Sequence, residues 1–186
     1  FVGISLVNGN QTDFGPDFPD VGMDIKETNK GVFFSKILGV KISGGTRFAA
    51  LYDKFPMLRI YNRSGELLKD IRYENGQSLP YVYTEGKMNI DDLNQAMLNY
   101  LKIDVTDDYI YGLYAGKTQG ELRTQELQVD DFGCEIHIWD WDGNPKARLL
   151  LPQNMFTFSV SIDNECILLS SVRVEDKIFK LKLPSL

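Results

Sequence analysis

Cysteine, histidine and long apolar runs are all scarce in this sequence, and each scarcity removes a class of function. Two cysteines, Cys134 and Cys166, are too few for the disulfide framework of a small secreted scaffold or for a structural zinc site. The single histidine, His137, is the one residue through which any histidine-dependent mechanism must pass. No run approaches the ~18 apolar residues of a membrane span, and no charged stretch followed by an apolar one opens the chain. Basic clusters are missing too. The 20 Lys and Arg against 26 Asp and Glu leave a net charge of -6, so phosphate-backbone binding lacks its driving force and nucleic acid is not an expected partner. The chain opens at Phe1 rather than Met, which reads as a processed or cut chain whose targeting signal, if any, lay upstream.

What is present points to one well-packed β domain. In 186 residues, 43% are hydrophobic and 12% aromatic, a globular composition that buries roughly 70% of the unfolded surface at this length. Most apolar runs are short and alternate with polar residues, the two-residue period of a half-buried strand. Leu58 and Ile60 alternate with Arg59 and Tyr61, a polar turn spans Asn62 to Gly65, and Leu67, Leu68 and Ile71 return. This is a β-hairpin whose glycine supplies positive φ.

The hairpin recurs. At a constant offset Leu58 falls on Ile136, Arg59 on His137, Ile60 on Ile138, Tyr61 on Trp139 and Gly65 on Gly143, with the return strand at Lys146 to Leu151. A second strand-turn-strand element precedes each hairpin and appears three times: Val40 to Ser43 with Arg47 to Tyr52, Leu101 to Thr106 with Tyr109 to Tyr114, and Phe156 to Ile162 with Cys166 to Ser171. Ala50-Leu51-Tyr52 matches Gly112-Leu113-Tyr114 closely. Four antiparallel strands repeated in sequence make a propeller blade, which cannot bury both faces alone and must stack on its neighbours. The expected class is therefore all-β, with blades at 37–73 and 100–152, blade remnants at 1–36, an insertion at 74–99 and an incomplete last blade at 153–186. Within the insertion, Gly76, Pro80 and Gly86 mark a loop with a short strand at Tyr81 to Thr84. Asp91-Asp92 followed by Leu93, Ala96, Met97 and Tyr100 reads as an N-capped short helix. Residues 117 to 131 read as a long exposed loop.

With these residues in view, the chain resembles the TolB-like six-bladed β-propeller family. The likeness is carried by Asp107-Asp108-Tyr109-Ile110-Tyr111-Gly112-Leu113-Tyr114-Ala115-Gly116, by Ile136-His137-Ile138-Trp139-Asp140-Trp141-Asp142-Gly143-Asn144-Pro145, and by Phe158-Ser159-Val160 with Ile178 to Leu183. The resemblance implies about half of a six-bladed ring, three to three and a half blades. It also implies a bacterial protein of the periplasm or cell surface, in many members a lipoprotein. A half ring leaves open strand edges and apolar blade faces. The missing N-terminal half or a second copy is expected to close it, so that the chain is not a stable monomer by itself.

Candidate chemistry is sparse. Asp104, Asp107 and Asp108 lie beside a strand expected to be innermost and are the candidate ligand-binding residues, facing the propeller channel. Gly116-Lys117-Thr118 has the ending of a phosphate-binding loop but no glycine at the required earlier position, where Tyr111 stands. Asp140, Asp142 and Asn144 alternate like calcium ligands, yet they also form an ordinary Asp-Gly hairpin turn. His137 shares its repeat position with Arg59, which suggests a solvent-tolerant outward site. Cys134, three residues away, points to the opposite face, so no Cys-His pair is expected. Tyr52, Tyr61, Tyr109, Tyr111, Tyr114, Trp139 and Trp141 fit packing between blades better than a sugar platform. No catalytic set, metal or cofactor emerges. The expected function is a non-catalytic binding or scaffold module for a protein, peptide or carbohydrate ligand, and the alternative is a propeller hydrolase or lyase with a channel metal held by carboxylates such as Asp104.

Overall fold

A computed structural model describes residues 1–22, 25–74, 97–124, 134–151, 155–170 and 177–186. Two short strands lead, β1 (Val2–Ile4) and β2 (Gln11–Asp13), followed by helix α1 (Glu27–Phe33). Three antiparallel sheets follow. The first holds β3 (Lys36–Val40), β4 (Arg47–Tyr52), β5 (Met57–Asn62) and β6 (Leu67–Arg72) in that order. The second holds β7 (Met97–Val105), β8 (Tyr109–Thr118), β9 (Glu135–Asp140) and β10 (Pro145–Leu150). The third has β11 (Thr157–Val160), β12 (Cys166–Ser170) and β13 (Ile178–Lys182). A helix, α2 (Gln119–Thr124), follows β8.

The sheets are stacked through their first strands: β7 packs against both β3 and β11. This makes β3, β7 and β11 the inner edges of three sheets that share one axis, the arrangement of a partial propeller. Burial follows from it. The middle strands β4, β5, β8 and β9 are covered on both faces and run almost continuously buried or half-buried, whereas β13 alternates between exposed and half-buried residues. One core, with Leu51, Ile60, Tyr100, Ile110 and Trp139, joins the first and second sheets. Another, with Leu113, Ile136, Ile138, Phe158, Ile167 and Leu169, joins the second and third. Period two explains the division, since Ile136 and Ile138 face one neighbour and His137 and Trp139 the other.

The repeat extends to irregularities. In the first sheet the pairing shifts between Ile60↔Lys69 and Tyr61↔Leu67, and in the second between Ile138↔Ala147 and Trp139↔Pro145. A bulge thus recurs at one place in both hairpins, and the turn glycines match as well, Gly65 at φ 85° and Gly143 at φ 84°.

Three readings of the sequence are corrected. The strand expected at 40 to 43 is β3 at 36–40, because residues 41 to 46 form a wide turn with Gly44 and Gly45 at positive φ, closed by the Lys41 N–H on the Arg47 carbonyl at 3.0 Å. The helix expected from Asp91 lies outside the described residues except for Met97 to Tyr100, which are strand: pairing of Met97 with Thr118 and Leu98 with Lys117 overrides the helical spacing, so the second sheet begins before residue 100. The loop expected at 117 to 131 instead begins with the last two residues of β8 and helix α2, and its remainder from 125 lies outside the described residues. The short strand expected at 81 to 84 lies outside the described residues.

Close approach between sheets fixes one residue type in particular. A Cβ at Gly112 would meet Leu51 Cδ1 at 2.7 Å, Tyr100 Cδ1 at 3.1 Å and Trp139 Cζ3 at 3.2 Å. Gly112→Ala is expected to cost about 1–3 kcal/mol by overpacking. A urea melt checks it, and an unchanged midpoint would show that the first two sheets are not packed this tightly.

Candidate functional site

The three aspartates chosen from the sequence do lie along the inner strand β7 and its turn, but they are joints between sheets. Asp107 Oδ1 accepts the Ser43 N–H and its Oδ2 the Ser43 hydroxyl, both at 2.6 Å, across to the turn of the first sheet. Those hydrogen bonds, the hydroxyl's first, hold the Asp107 carboxyl below the usual carboxylate range. Asp104 reaches the other way. Its Oδ2 accepts the Ser159 hydroxyl at 3.0 Å and the Val160 N–H at 2.8 Å on β11, while Oδ1 takes the Val105 N–H. Asp108 Oδ2 accepts from Asn164 Nδ2 at 3.1 Å in the turn of the third sheet. Asn164 Oδ1 also accepts the hydroxyls of Thr106 at 2.7 Å and Tyr111 at 2.9 Å. The Asn164 backbone sits at φ 59°, a left-handed conformation that asparagine tolerates better than most residues.

Near the opposite end of β7, beside a bulge, the Asn99 N–H donates to the Asp53 carbonyl at 2.7 Å. Among the described residues, both polar side-chain atoms of buried Asn99 and the Asp53 Oδ1 find no hydrogen-bond partner. Burial pushes the Asp53 carboxyl up, opposed by Lys54 at 3.0 Å.

The histidine behaves differently from its sequence reading. His137 is 5% exposed and Arg59 6% exposed, so the shared repeat position is buried in both sheets. Arg59 is paired with Asp70 on the facing strand at 2.7 Å. His137 Nε2 lies 2.9 Å from Glu135 Oε2 and its Nδ1 3.0 Å from the Tyr100 hydroxyl. Glu135 in turn takes Arg148 in a two-point contact, Nε at 2.6 Å and Nη2 at 2.9 Å. A neutral imidazole with its proton on Nε2 satisfies every link, donating to Glu135 and accepting from Tyr100. The ring is stacked on Tyr114 at 4.7 Å, with Tyr73 and Trp139 edge-on. Sequence reasoning missed this network because the repeat preserves the position of a basic residue while changing its partner. The signal available was the Glu135-Ile136-His137 spacing, which puts acid and imidazole on one face of a strand.

Burial lowers the proton affinity of His137, reinforced by Arg148 and opposed by the hydrogen bond and charge of Glu135. Its folded value thus lies below the unfolded one, near ~6.5, so the unfolded chain takes up more protons as pH falls. Stability from this group is complete above the unfolded value and declines as pH drops below it. Urea midpoints should therefore fall between pH ~7.5 and ~5.5, and His137→Gln should flatten that slope. Equal slopes in the two proteins would contradict the buried neutral imidazole.

Comparison with known proteins adds the family. The model of the TolB-like 6-blade propeller-like family matches residues 5–163. The chain belongs to that family. Among curated proteins none matches. A solved structure described as a candidate 6-phosphogluconolactonase from Bacteroides fragilis is similar over 81% of this chain, at 9% identity and a TM-score of 0.49. The chain spans 35% of that structure's length.

In this TolB-like chain the remaining motifs serve the fold. Asp140 Oδ1 accepts the N–H groups of Asp142 and Asn144 and its Oδ2 takes the Asn144 amide and Lys146. Burial pushes this carboxyl up, but the donors outweigh it and hold it well below the usual range. Asn62 does the same work in the first hairpin, accepting the Glu66 N–H at 2.9 Å. Asp142 pairs with Arg47 at 2.8 Å, another tie between sheets. Thr118, at the end of the Gly-Lys-Thr run, caps α2: its N–H and hydroxyl donate to Glu121, whose N–H returns to Thr118 Oγ1. That Thr-x-x-Glu box was the overlooked sequence signal for the helix. Cys134 and Cys166 are not joined in a disulfide, and burial pushes the Cys134 thiol up, against its bond to the Met155 carbonyl. Six of the seven aromatic residues expected between blades are buried, and Tyr109 is partly so. Among the described residues no helix is long and apolar enough to cross a membrane.

Proposed function

We propose that the chain forms part of a non-catalytic binding or scaffold propeller of the bacterial cell envelope, presenting a ring face to a protein, peptide or carbohydrate ligand. The observation that carries this reading is the commitment of Asp104, Asp107 and Asp108 to N–H and O–H donors of neighbouring sheets. Carboxylates held this way align blades, and a metal or a substrate proton would have to compete with those bonds. The buried Cys134 thiol, pushed toward its protonated form, is a poor nucleophile. The envelope location rests on membership of the TolB-like family. The full-length protein tested against carbohydrate and peptide arrays, and in parallel against ester, lactone and phosphoester substrates, should bind without turnover. Turnover abolished by Asp104→Asn in a folded protein would establish the hydrolase alternative instead.

A further inference from the structure

Where the first and second sheets diverge from their shared inner edge, a crevice of about 420 Å3 opens between β6 and β10. Its wall carries the rings of Tyr73 and Trp139, the ring of Pro145, and three cations, Arg72, Lys146 and Arg148. Among the described residues no carboxylate lines it, and the acids that pair with these cations, Asp70 with Arg72, Asp140 with Lys146 and Glu135 with Arg148, are not among the lining residues. The volume lies within the roughly 300–1,000 Å3 of small-molecule sites. Behind the wall, the chain of bonds from Tyr100 through His137 and Glu135 to Arg148 fixes the guanidinium, whose side chain remains 51% exposed. Rigid support with an exposed cation is the structure a recognition site requires.

The preceding sheet supplies an internal precedent. Tyr61, at the repeat position of Trp139, has the Phe1 ring edge-on at 5.1 Å, and Arg59, at the position of His137, donates to the Asp17 carbonyl at 3.5 Å. There, part of the same chain brings a ring and an oxygen acceptor to the face that the second sheet presents into the crevice.

We infer that this crevice binds a small anionic ligand with a planar ring body, the ring entering beside Tyr73 and Pro145 and the anion meeting Arg148 and Lys146. The inference goes beyond the scaffold reading and stands whether the propeller binds or catalyses elsewhere.

Calorimetric titration with naphthoate, naphthyl phosphate, neutral naphthamide and acetate, read alongside Trp fluorescence, tests it. Naphthoate or naphthyl phosphate is expected to bind once per chain, the tighter of the two identifying the anion class. Naphthamide and acetate should each bind at least about tenfold more weakly, the loss expected for one charge-assisted contact or one stacked ring. Arg148→Gln should weaken the anion about tenfold. Because that change also frees Glu135, Lys146→Gln provides a second variant that loses only an ion pair in the hairpin turn, and it should weaken the anion in the same direction. Equal binding of naphthamide and naphthoate, affinity unmoved in both folded variants, or no binding of either anion would overturn the inference.

Discussion

Trp139→Ala should cost about 3–5 kcal/mol, which for a domain of this size lowers the melting temperature by roughly 6–20 °C. Trp139 is 6% exposed and sits in the core between the first and second sheets, against Tyr100 at 6.0 Å and His137 at 5.7 Å. Deleting the indole removes its transfer free energy and leaves a hollow that Gly112, with no side chain, cannot fill. Trp139→Phe keeps a ring in the wedge and should cost markedly less. Calorimetric melts of both variants check the order. A Trp139→Ala melt within a degree or two of the parent would mean that the sheets are not held together through this wedge.

Asn164→Ala is the second large effect, at about 3–5 kcal/mol. The Thr106 and Tyr111 hydroxyls, both on buried residues, lose their acceptor at roughly 1–3 kcal/mol each. An alanine held at φ 59° adds about 1–2 kcal/mol of backbone cost, and the contributions overlap rather than sum. Asn164→Gly separates them, because glycine accepts the backbone and loses only the side-chain bonds. Glycine should therefore fall between alanine and the parent. If glycine and alanine prove equally harmful, backbone conformation contributes nothing at this joint.

The elements most legible in the sequence are those whose cause is local. The hairpin at Leu58 to Ile71 and its copy at Ile136 to Leu151 could be read because alternation, an Asn or Asp turn and a glycine recur at a fixed spacing, and the structure repeats even their bulges. Strands decided by distant partners were harder to place. Gly39 breaks the apolar alternation of β3, yet it lies in the strand because a Cβ there would strike Val105 Cγ1 at 2.6 Å. Met97 to Tyr100 carry helical spacing and become strand by pairing with β8. The site shows the same division. The repeated blade order places Asp104 beside a strand expected to be innermost, but whether its carboxylate faces solvent, a ligand or Ser159 depends on how the next sheet docks. The repeat aligns His137 with Arg59 but does not reveal its exposure, since burial at that position is created by Tyr100 and Tyr114 from other strands and by Tyr73 just past β6.

The central claim is that the carboxylates of Asp104, Asp107 and Asp108 join sheets. Metal analysis of the full-length protein with and without Asp104→Ala, each followed by a thermal melt, tests it most directly. The account predicts a lower melting temperature for the variant, because the Ser159 hydroxyl and the Val160 N–H lose their acceptor, together with a metal content that the substitution does not change. Stoichiometric metal in the parent that disappears in a variant with an unaltered melt would contradict it.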